Sequence, residues 1–364
     1  MLKRILVPLD GSTRAEQALP VAARLARASG GAIVLLQAVT VPTEYQQSIQ
    51  ETAMTIPYAL SLAVAPAVER DAVSTALDAA QRYLDITAKS GELADIEVET
   101  QALFGTAASE ILAAAQSLHA DLIVMCSHGY TGFKRWGLGS VAQKVARHSP
   151  VPVLVLYEDG GVPTNLHPGG IRPVRVLVAL DGSSLAEATL MPAAQLSAAL
   201  SAPAQGALHL VRVLTIPTVY EYGQIDSLSV ARDRAIAEAN AYLRTVEQRL
   251  REGDMVNLNL LVTSSIVVNT DAADVLIGVA ENGEYLEDAA GFEGCDVIAL
   301  ATHGRGGIKR WMMGSVTERI LGATRLPLLI VRPQKAIVIP EEPVNDVTKL
   351  PLLVVHPRQK ETRC

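Results

Sequence analysis

Short apolar runs alternate with alanine-rich helical stretches along most of the chain. The first half contains five such runs, and none of them shows the strict in-out alternation of a half-buried strand. They read ILVPL, AIVLLQAV, IEVETQAL, DLIVMC and VPVLVLY, with helical patterns between them at roughly 13–29, 67–90, 106–118 and 140–148. Apolar strands of this kind, separated by helices, are typical of a parallel sheet that is covered on both faces.

The second half repeats this order of elements. KRILVPLDGS at 3–12 returns as VRVLVALDGS at 174–183, and HGYTGFKRWGLGS at 128–140 returns as HGRGGIKRWMMGS at 303–315. The apolar runs of the second copy are RVLVAL, ALHLVRV, VNLNLLV, DVIALA and LPLLIVR. Because strand–helix–strand connections are almost always right-handed, the pattern predicts an α/β fold. It consists of two doubly wound open parallel five-stranded sheets, each with helices on both faces.

A segment rich in glycine and proline separates the two copies. Residues 158–173, EDGGVPTNLHPGGIRP, contain four glycines and three prolines, which is too many for a packed element. We therefore expect a first domain at 1–157, a linker at 158–172, a second domain at 173–334 and a tail at 335–364. The stretch KLPLLVVHPR in that tail mimics the last strand of the second copy. The tail is thus either a loose terminus or the carrier of an extra strand.

The charge balance narrows the classes of partner. The 364 residues include 38 acidic and 31 basic side chains, which gives a formal net charge of −7 at pH 7. An acidic chain without a basic cluster argues against nucleic acid and against an anionic membrane surface as partners. No apolar run approaches the ~18 residues of a membrane span. The three cysteines show no CxxC spacing and make no disulfide framework, so we expect a cytoplasmic protein.

Two segments of each copy follow strands at which a ligand site is expected. In an open parallel sheet, ligands bind at the carboxyl ends of the strands where the strand order reverses. Asp10-Gly11-Ser12 follows the first strand, and the glycine-rich loop at 128–140 follows the fourth. Glycines let backbone N–H groups approach a phosphate without interference from a Cβ. The loop ends in Gly139-Ser140 before a helical segment, and a helix N-terminus favours an anion.

Structural roles also account for several of these residues. Ser140 and Ser315 each begin the pattern S-x-x-E/Q of a capping box, in which the serine only caps its helix. Asp10 is a residue type that caps helices well. His128 and His303 suggest metal or acid–base chemistry, but no second cluster of His or Cys accompanies them. These alternatives stay open at the level of sequence.

The whole chain resembles a tandem universal stress protein, in which two domains of that family are fused. The resemblance rests on VPLDGS and VALDGS at the two domain starts, on the two glycine-rich loops, and on SPVPVLVL and TRLPLLIV at the two last strands. It covers nearly everything except the linker and the tail. The fold that it implies is of the adenine nucleotide alpha hydrolase-like type.

The glycine spacing matches the ATP-binding subclass of that family, which carries the pattern G-x2-G-x9-G-[ST]. Nine residues separate Gly129 from Gly139 in the first copy, and nine separate Gly304 from Gly314 in the second. A serine follows Gly139 and Gly314, as the pattern requires. The loop is not a Walker motif, which needs GK[ST] directly after its glycines.

The first glycine of the family pattern is absent from both copies. Cys126 replaces it in the first copy and Ala301 in the second. A Cβ at this position narrows the ribose end of the crevice, whereas a contact made by the backbone N–H persists. Two hypotheses therefore stand side by side: a nucleotide-binding protein, and a protein-interaction module of the same fold that has lost nucleotide binding.

The resemblance implies a role for each matching position. Asp10 and Asp181 would contact the ribose, and the main chain near Ala38 and Val213 would contact the adenine. The phosphate ligands would be Gly129, Gly139, Ser140 and Val141 in the first copy, and Gly304, Gly314, Ser315 and Val316 in the second.

The implied function is a stress-response or regulatory protein that binds ATP, alone or with Mg²⁺ or Mn²⁺. Fast phosphoryl transfer needs a positioned base and a charge clamp, and we assign neither catalytic residues nor metal ligands. The protein would be at most a weak ATPase. The resemblance also implies that the last strands of the two copies pair, which makes an intramolecular pseudo-dimer. Further association into a homodimer and binding of unidentified protein partners are open alternatives.

Overall fold

The computed structural model describes residues 2–40, 58–127, 138–157, 173–215, 225–253, 255–286, 292, 294–302 and 313–333. The predicted linker, the predicted tail and both glycine-rich loops lie mostly or wholly outside these ranges, so the domain boundaries stay predictions. Among the described helices, none is long and apolar enough to cross a membrane.

The first copy contains five strands and five α-helices within its described part. In chain order they are β1 (Arg4–Pro8), α1 (Thr13–Glu16), α2 (Ala18–Ser29), β2 (Ala32–Val39), α3 (Tyr58–Ala88), β3 (Val98–Phe104), α4 (Ala107–Ser117), β4 (Leu122–Cys126), α5 (Ser140–His148) and β5 (Val153–Leu156). A short 3-10 turn, Gly91–Leu93, precedes β3. Helix α3 begins at Tyr58, earlier than the 67 that its pattern predicts, so that Pro66 lies inside the helix.

The second copy repeats this order within its described part. Its elements are β6 (Arg175–Ala179), α6 (Ser184–Glu187), α7 (Leu190–Ser201), β7 (Gly206–Leu214), α8 (Ile225–Glu252), β8 (Leu260–Val268), α9 (Ala272–Asn282), β9 (Val297–Ala301), α10 (Ser315–Ala323) and β10 (Leu328–Val331). A 3-10 turn, Val256–Leu258, occupies the start of the run VNLNLLV. The strand predicted at that run was therefore placed too early, because the exposed Thr263 and Ser264 of the edge strand β8 interrupt its apolar pattern.

The strands confirm the predicted α/β fold and join its two halves into one sheet. Their order is β3-β2-β1-β4-β5-β10-β9-β6-β7-β8. Neighbours within each half are parallel, whereas β5 and β10 pair antiparallel, with Leu154 opposite Leu329. The terminal strands of the two copies thus form the junction, and each half keeps the order of a doubly wound parallel sheet.

An apolar layer covers each face of this sheet and runs across the junction. Alternate residues of a strand point to opposite faces, so that Ile5 belongs to one layer and Leu6 to the other. One layer includes Leu154 and Leu329 from the junction strands. The other includes Val155 and Leu328. Because both layers draw on strands of both copies, the two halves share a continuous core.

Polar contacts reinforce the junction on both faces. Arg24 on α2 donates to the carbonyl of Leu200 at 2.6 Å and to that of Ala202 at 3.2 Å, next to α7. On the opposite face, the hydroxyl of Tyr157 donates to the carbonyl of Leu321 at 3.0 Å. The two copies are therefore tied together by side chains that cross from one to the other.

Candidate functional site

The strand order reverses between β1 and β4 in the first half and between β6 and β9 in the second. Ile5 of β1 pairs with Leu122 of β4, and Val176 of β6 pairs with Val297 of β9, all in parallel register. The chain that leaves each of these four strands therefore emerges at the same edge of the sheet as its neighbour. This places the Asp-Gly-Ser segment of each copy beside the end of the fourth strand, as the sequence predicts for a ligand crevice.

The Asp-Gly-Ser segment forms a tight turn that caps the next helix. Oδ1 of Asp10 accepts the backbone N–H of Ser12 at 3.0 Å and its hydroxyl at 2.6 Å. Oγ of Ser12 accepts in turn from the N–H of Ala15 at 3.2 Å, so that Ser12 is the N-cap of α1. Gly11 has a φ of +82°, in the region that favours glycine. The interpretation of Asp10 as the cap is wrong, because Asp10 holds the serine that caps.

The second copy repeats this turn almost atom for atom. Oδ1 of Asp181 accepts from the N–H of Ser183 at 2.9 Å and from its hydroxyl at 2.6 Å. Ser183 then accepts from the N–H of Ala186 at 3.2 Å as the N-cap of α6. Gly182 has a φ of +86°. In both copies Oδ1 of the aspartate thus forms two hydrogen bonds within the turn, and these bonds fix the orientation of the whole carboxylate.

A backbone hydrogen bond fixes the N-terminus of α5 at the end of β4. The N–H of Gly139 donates to the carbonyl of Ser127 at 2.8 Å, and in the second copy the N–H of Gly314 donates to the carbonyl of Thr302 at the same distance. Ser127 and Thr302 directly follow β4 and β9. The first turn of each helix therefore opens onto the same crevice as the Asp-Gly-Ser turn.

The structure contradicts the capping-box interpretation of the two loop serines. Gly139 and Gly314 are the N-caps, in extended conformation, and Ser140 and Ser315 are the first helical residues. Both serines are exposed, and within the described part of the chain neither hydroxyl forms a hydrogen bond. The first backbone N–H groups of a helix have no partner inside it. Each crevice is thus lined by unsatisfied amide donors and a hydroxyl.

Ala38 and Val213 also lie at this edge of the sheet. Ala38 pairs with Leu103 one residue before the end of β2, and Val213 pairs with Val267 one residue before the end of β7. The N–H of Leu9 donates to the carbonyl of Leu36 at 2.8 Å, which brings the end of β2 next to the turn. The predicted adenine position is therefore adjacent to the predicted ribose position in each copy.

The residues that replace the first family glycine lie at the end of the fourth strand. The thiol of Cys126 approaches the carbonyl of Ala15 in α1 at 3.8 Å. The carbonyl of Ala301 accepts the hydroxyl of Thr317, from α10, at 2.9 Å. The Cys126 side chain thus points toward α1, the helix that follows the Asp-Gly-Ser turn.

Several predicted residues lie outside the described ranges. Among them are the first loop glycines and the two loop histidines: Gly129, Gly304, His128 and His303. The described residues bring together no group of three His, Cys, Asp or Glu side chains that could hold a metal ion.

The sequence reasoning missed a pair of residues beside the Asp-Gly-Ser turns. Gln37 precedes Ala38 on β2, and Arg212 precedes Val213 on β7. A Cβ built on Gly11 would lie 3.8 Å from Nε2 of Gln37, whereas one built on Gly182 would lie 3.1 Å from Nη2 of Arg212. Aligning AIVLLQAV with ALHLVRV would have paired the two positions and revealed the difference in charge.

A tyrosine from the long helix lies near each turn. The hydroxyl of Tyr83 on α3 donates to Glu16 at 2.8 Å, and burial followed by this carboxylate raises the pKa of Tyr83 above its usual range. Burial and the nearby Glu187 raise the pKa of Tyr242 on α8 in the same direction. Both phenols therefore stay neutral at physiological pH, and the bond from Tyr83 to Glu16 anchors α3 beside the first crevice.

Comparison with known proteins agrees with this architecture. The model of the universal stress protein family matches residues 1–156 and 174–332. A universal stress protein of Synechocystis sp. is 25% identical over 340 residues, which is 91% of this chain and 100% of that protein. One from Mycobacterium tuberculosis is 24% identical over 238 residues, which is 65% of this chain and 70% of that protein.

A solved structure shows the same fold over most of the chain. The crystal structure of a universal stress protein from Archaeoglobus fulgidus covers 91% of this chain and 99% of its own. The TM-score is 0.52 at 19% sequence identity. The similarity extends across both copies.

Proposed function

The chain belongs to the universal stress protein family, and from that premise we propose that each of its two copies binds ATP. The observation that carries the proposal is the pair of 2.8 Å bonds, Gly139 to Ser127 and Gly314 to Thr302. They hold two helix N-termini, which have no hydrogen bond from a capping side chain, at the points where the strand order reverses. A negatively charged phosphate is stabilised at such a terminus by free N–H groups and by the helix dipole.

The residues of the crevice fit the phosphates of a nucleotide. In the first copy the N–H groups of Ser140 and Val141 and the Ser140 hydroxyl would donate to phosphate oxygens. Ser315 and Val316 would do the same in the second copy. Gly129 and Gly304 would add backbone donors from the loops. Hydrogen bonds from these groups to a charged phosphate are stronger than hydrogen bonds between two neutral groups.

The turn supplies the ribose end and the second strand supplies the adenine end. Oδ1 of Asp10 accepts from Ser12 and Oδ1 of Asp181 accepts from Ser183, which fixes both carboxylates in the turns at the edge of the sheet. Each carboxylate would accept a ribose hydroxyl. The main chain near Ala38 and Val213 would contact the adenine, next to the ribose.

The proposal includes slow hydrolysis or none. Rapid phosphoryl transfer needs a base or water-orienting group and a cation that clamps the transferred phosphate. The residues assigned to the crevice bind and orient ATP but include no such base. Mg²⁺ or Mn²⁺, if bound, would be held mainly by the phosphates, which is common for Mg²⁺. The same proposal includes a cytoplasmic regulatory role, in which protein partners would respond to the nucleotide-bound state.

One observation favours a second candidate function. Cys126 and Ala301 add a Cβ where the ATP-binding subclass has glycine. If that atom excludes the ribose, the chain is a protein-interaction module of the same fold.

A calorimetric titration separates the two candidates. ATP, with and without Mg²⁺, is titrated into the full chain, and the proposal predicts saturable binding at two sites per chain. No heat for ATP, ADP or AMP at millimolar concentration, together with no rise in melting temperature, would contradict the proposal and favour the interaction module. A ligand at about 100 times its dissociation constant raises the free energy of unfolding by about 2.7 kcal/mol. Binding at that ligand concentration would therefore raise the melting temperature even if it released little heat.

A further inference from the structure

The two crevices differ in charge at one matched position. Gln37 lies beside Gly11 in the first copy, and Arg212 lies beside Gly182 in the second. The strand register is the same, since each residue immediately precedes the position assigned to adenine. A neutral amide in one copy therefore stands where the other copy has a guanidinium.

Tyr242 holds the guanidinium of Arg212 in place. The Cζ atom lies 4.9 Å from the centre of the Tyr242 ring, within the range of a cation–π contact. The side of the guanidinium that faces the turn lies close to Gly182, with Nη2 and Cζ 3.1 and 3.3 Å from a Cβ built there. Arg212 is thus positioned over the Asp-Gly-Ser turn before any ligand arrives.

The nearby carboxylates do not pair with Arg212. Oε2 of Glu187 accepts from Arg249 at 2.7 Å, and Oδ1 of Asp181 accepts from Ser183. Within the described ranges, Arg212 makes no hydrogen bond and no ion pair. A half-buried guanidinium with its donors unused is suited to a phosphate, which arginine binds through two parallel hydrogen bonds.

We propose that the second crevice selects a nucleotide that carries a phosphate on its ribose, at the 2′ or 3′ position, and that the first crevice does not. The inference rests on the proposed function, which puts the ribose at the Asp-Gly-Ser turn. An arginine near the ribose accommodates a ribose phosphate in dinucleotide-binding folds, whereas an acidic residue alone binds the free hydroxyls. Asp181 would still bind the remaining hydroxyl, while Arg212 takes the phosphate.

Four mononucleotides test this selectivity in the full-length chain by calorimetry. AMP carries only the 5′ phosphate, whereas adenosine 2′,5′-bisphosphate and 3′,5′-bisphosphate add one on the ribose. ADP has the same number of phosphates without modifying the ribose. We expect one site per chain to bind at least one of the two bisphosphates about tenfold more tightly than ADP, which is the effect of one charge-assisted hydrogen bond.

Two variants assign the preference to Arg212. Arg212→Gln is expected to abolish the tenfold preference for a bisphosphate over ADP, because it recreates the glutamine of the first copy. Gln37→Arg is expected to create a second site with the preference. Arg244→Gln removes the same charge from an exposed position on α8 and should have no effect on any of the four ligands.

The possible failures are distinguishable. If wild type binds AMP and ADP but shows no preference for either bisphosphate, the inference is wrong and the proposed function stands. If Arg212→Gln weakens all four ligands equally, Arg212 contacts the 5′ phosphates or the base, and the inference is again wrong. If wild type binds ATP but none of the four, the inference is wrong and the proposed function stands. If it binds neither ATP nor any of the four, the proposed function fails together with the inference.

Discussion

The N–H of Gly139 donates to the carbonyl of Ser127 at 2.8 Å, and this bond decides what the loop serine can do. It makes Gly139 the N-cap of α5, so that Ser140 enters the helix as its first residue. The hydroxyl is then not needed to close the helix. The same bond from Gly314 to Thr302 has the same effect on Ser315. The two serines are therefore available to a ligand.

Removal of these hydroxyls should weaken binding without lowering stability. We expect Ser140→Ala and Ser315→Ala each to weaken ATP binding at one site by about 1.5–3 kcal/mol, the contribution of a hydrogen bond to a charged group. The free energy of unfolding without nucleotide should stay unchanged, because no cap is lost. Calorimetric titration and urea unfolding measure the two quantities, and exposed Ser117→Ala on α4 is the matched control. A loss of stability without a loss of affinity would restore the capping interpretation.

The opposite result is expected for the serines of the turns. Ser12 and Ser183 are N-caps with bonds of 3.2 Å to Ala15 and Ala186. Replacing either serine with alanine should lower the free energy of unfolding by ~1 kcal/mol. The helices that they cap are short, so a change well below this value in urea unfolding would mean that tertiary packing alone holds α1 and α6.

His209 should make the second half sensitive to acid. Burial, followed by the charge of Arg175, lowers its pKa from 6.5 to about 4. Its ring nitrogens contact the hydroxyls of Thr263 and Ser265 at 2.9 and 3.0 Å. Above pH 6.5 the ring is neutral in both the folded and the unfolded chain, so the contribution of His209 to the free energy of unfolding is fully present. Below pH 6.5 the unfolded chain takes up the proton first. That contribution is lost as the pH falls toward 4, by up to about 3 kcal/mol.

Urea unfolding between pH 7 and pH 4 checks this dependence. The matched variant is His209→Val, because the equivalent strand position in the first copy is Val34. As the pH falls, the unfolding free energy of wild type should decrease more than that of the variant. Parallel pH profiles for the two proteins would show that the ring titrates with the same pKa in the folded and unfolded chain.

The continuous core predicts cooperative unfolding of the two halves. Leu154 and Leu329 face each other across β5 and β10 and are fully buried. Alanine at either position should cost about 2–5 kcal/mol, and scanning calorimetry should show a single transition in wild type. Leu261→Ala on the exposed edge strand β8 should change stability by no more than about 0.5 kcal/mol. Two transitions in wild type, of which Leu154→Ala shifts only one, would mean that the halves unfold independently.

Much of the fold could be predicted from the sequence, because the apolar strand runs and the internal repeat are visible without any tertiary information. The apolar runs, the repeat and the handedness rule together gave two doubly wound halves and the reversal beside Asp10 and Asp181. The start of β8 was misplaced because Thr263 and Ser264 are exposed polar residues within an edge strand. Edge strands carry a weaker apolar pattern than the central strands do.

The roles of individual site residues were harder to predict, because they depend on tertiary contacts. The pattern S-x-x-E/Q is compatible with a serine that caps its helix and with a serine that is the first helical residue. The bond from Gly139 to Ser127 distinguishes the two, because it makes Gly139 the N-cap. Arg212 looks like an ordinary strand residue until the register of β6 and β7 brings it over Gly182. A local motif contains neither piece of information.

The most direct test of the central claim is a crystal structure of the full chain grown with saturating ATP. The account predicts a nucleotide in each half, with phosphates against the first turns of α5 and α10 and the ribose beside Asp10 and Asp181. Crevices filled by the chain's own side chains, with no nucleotide at either helix, would contradict it.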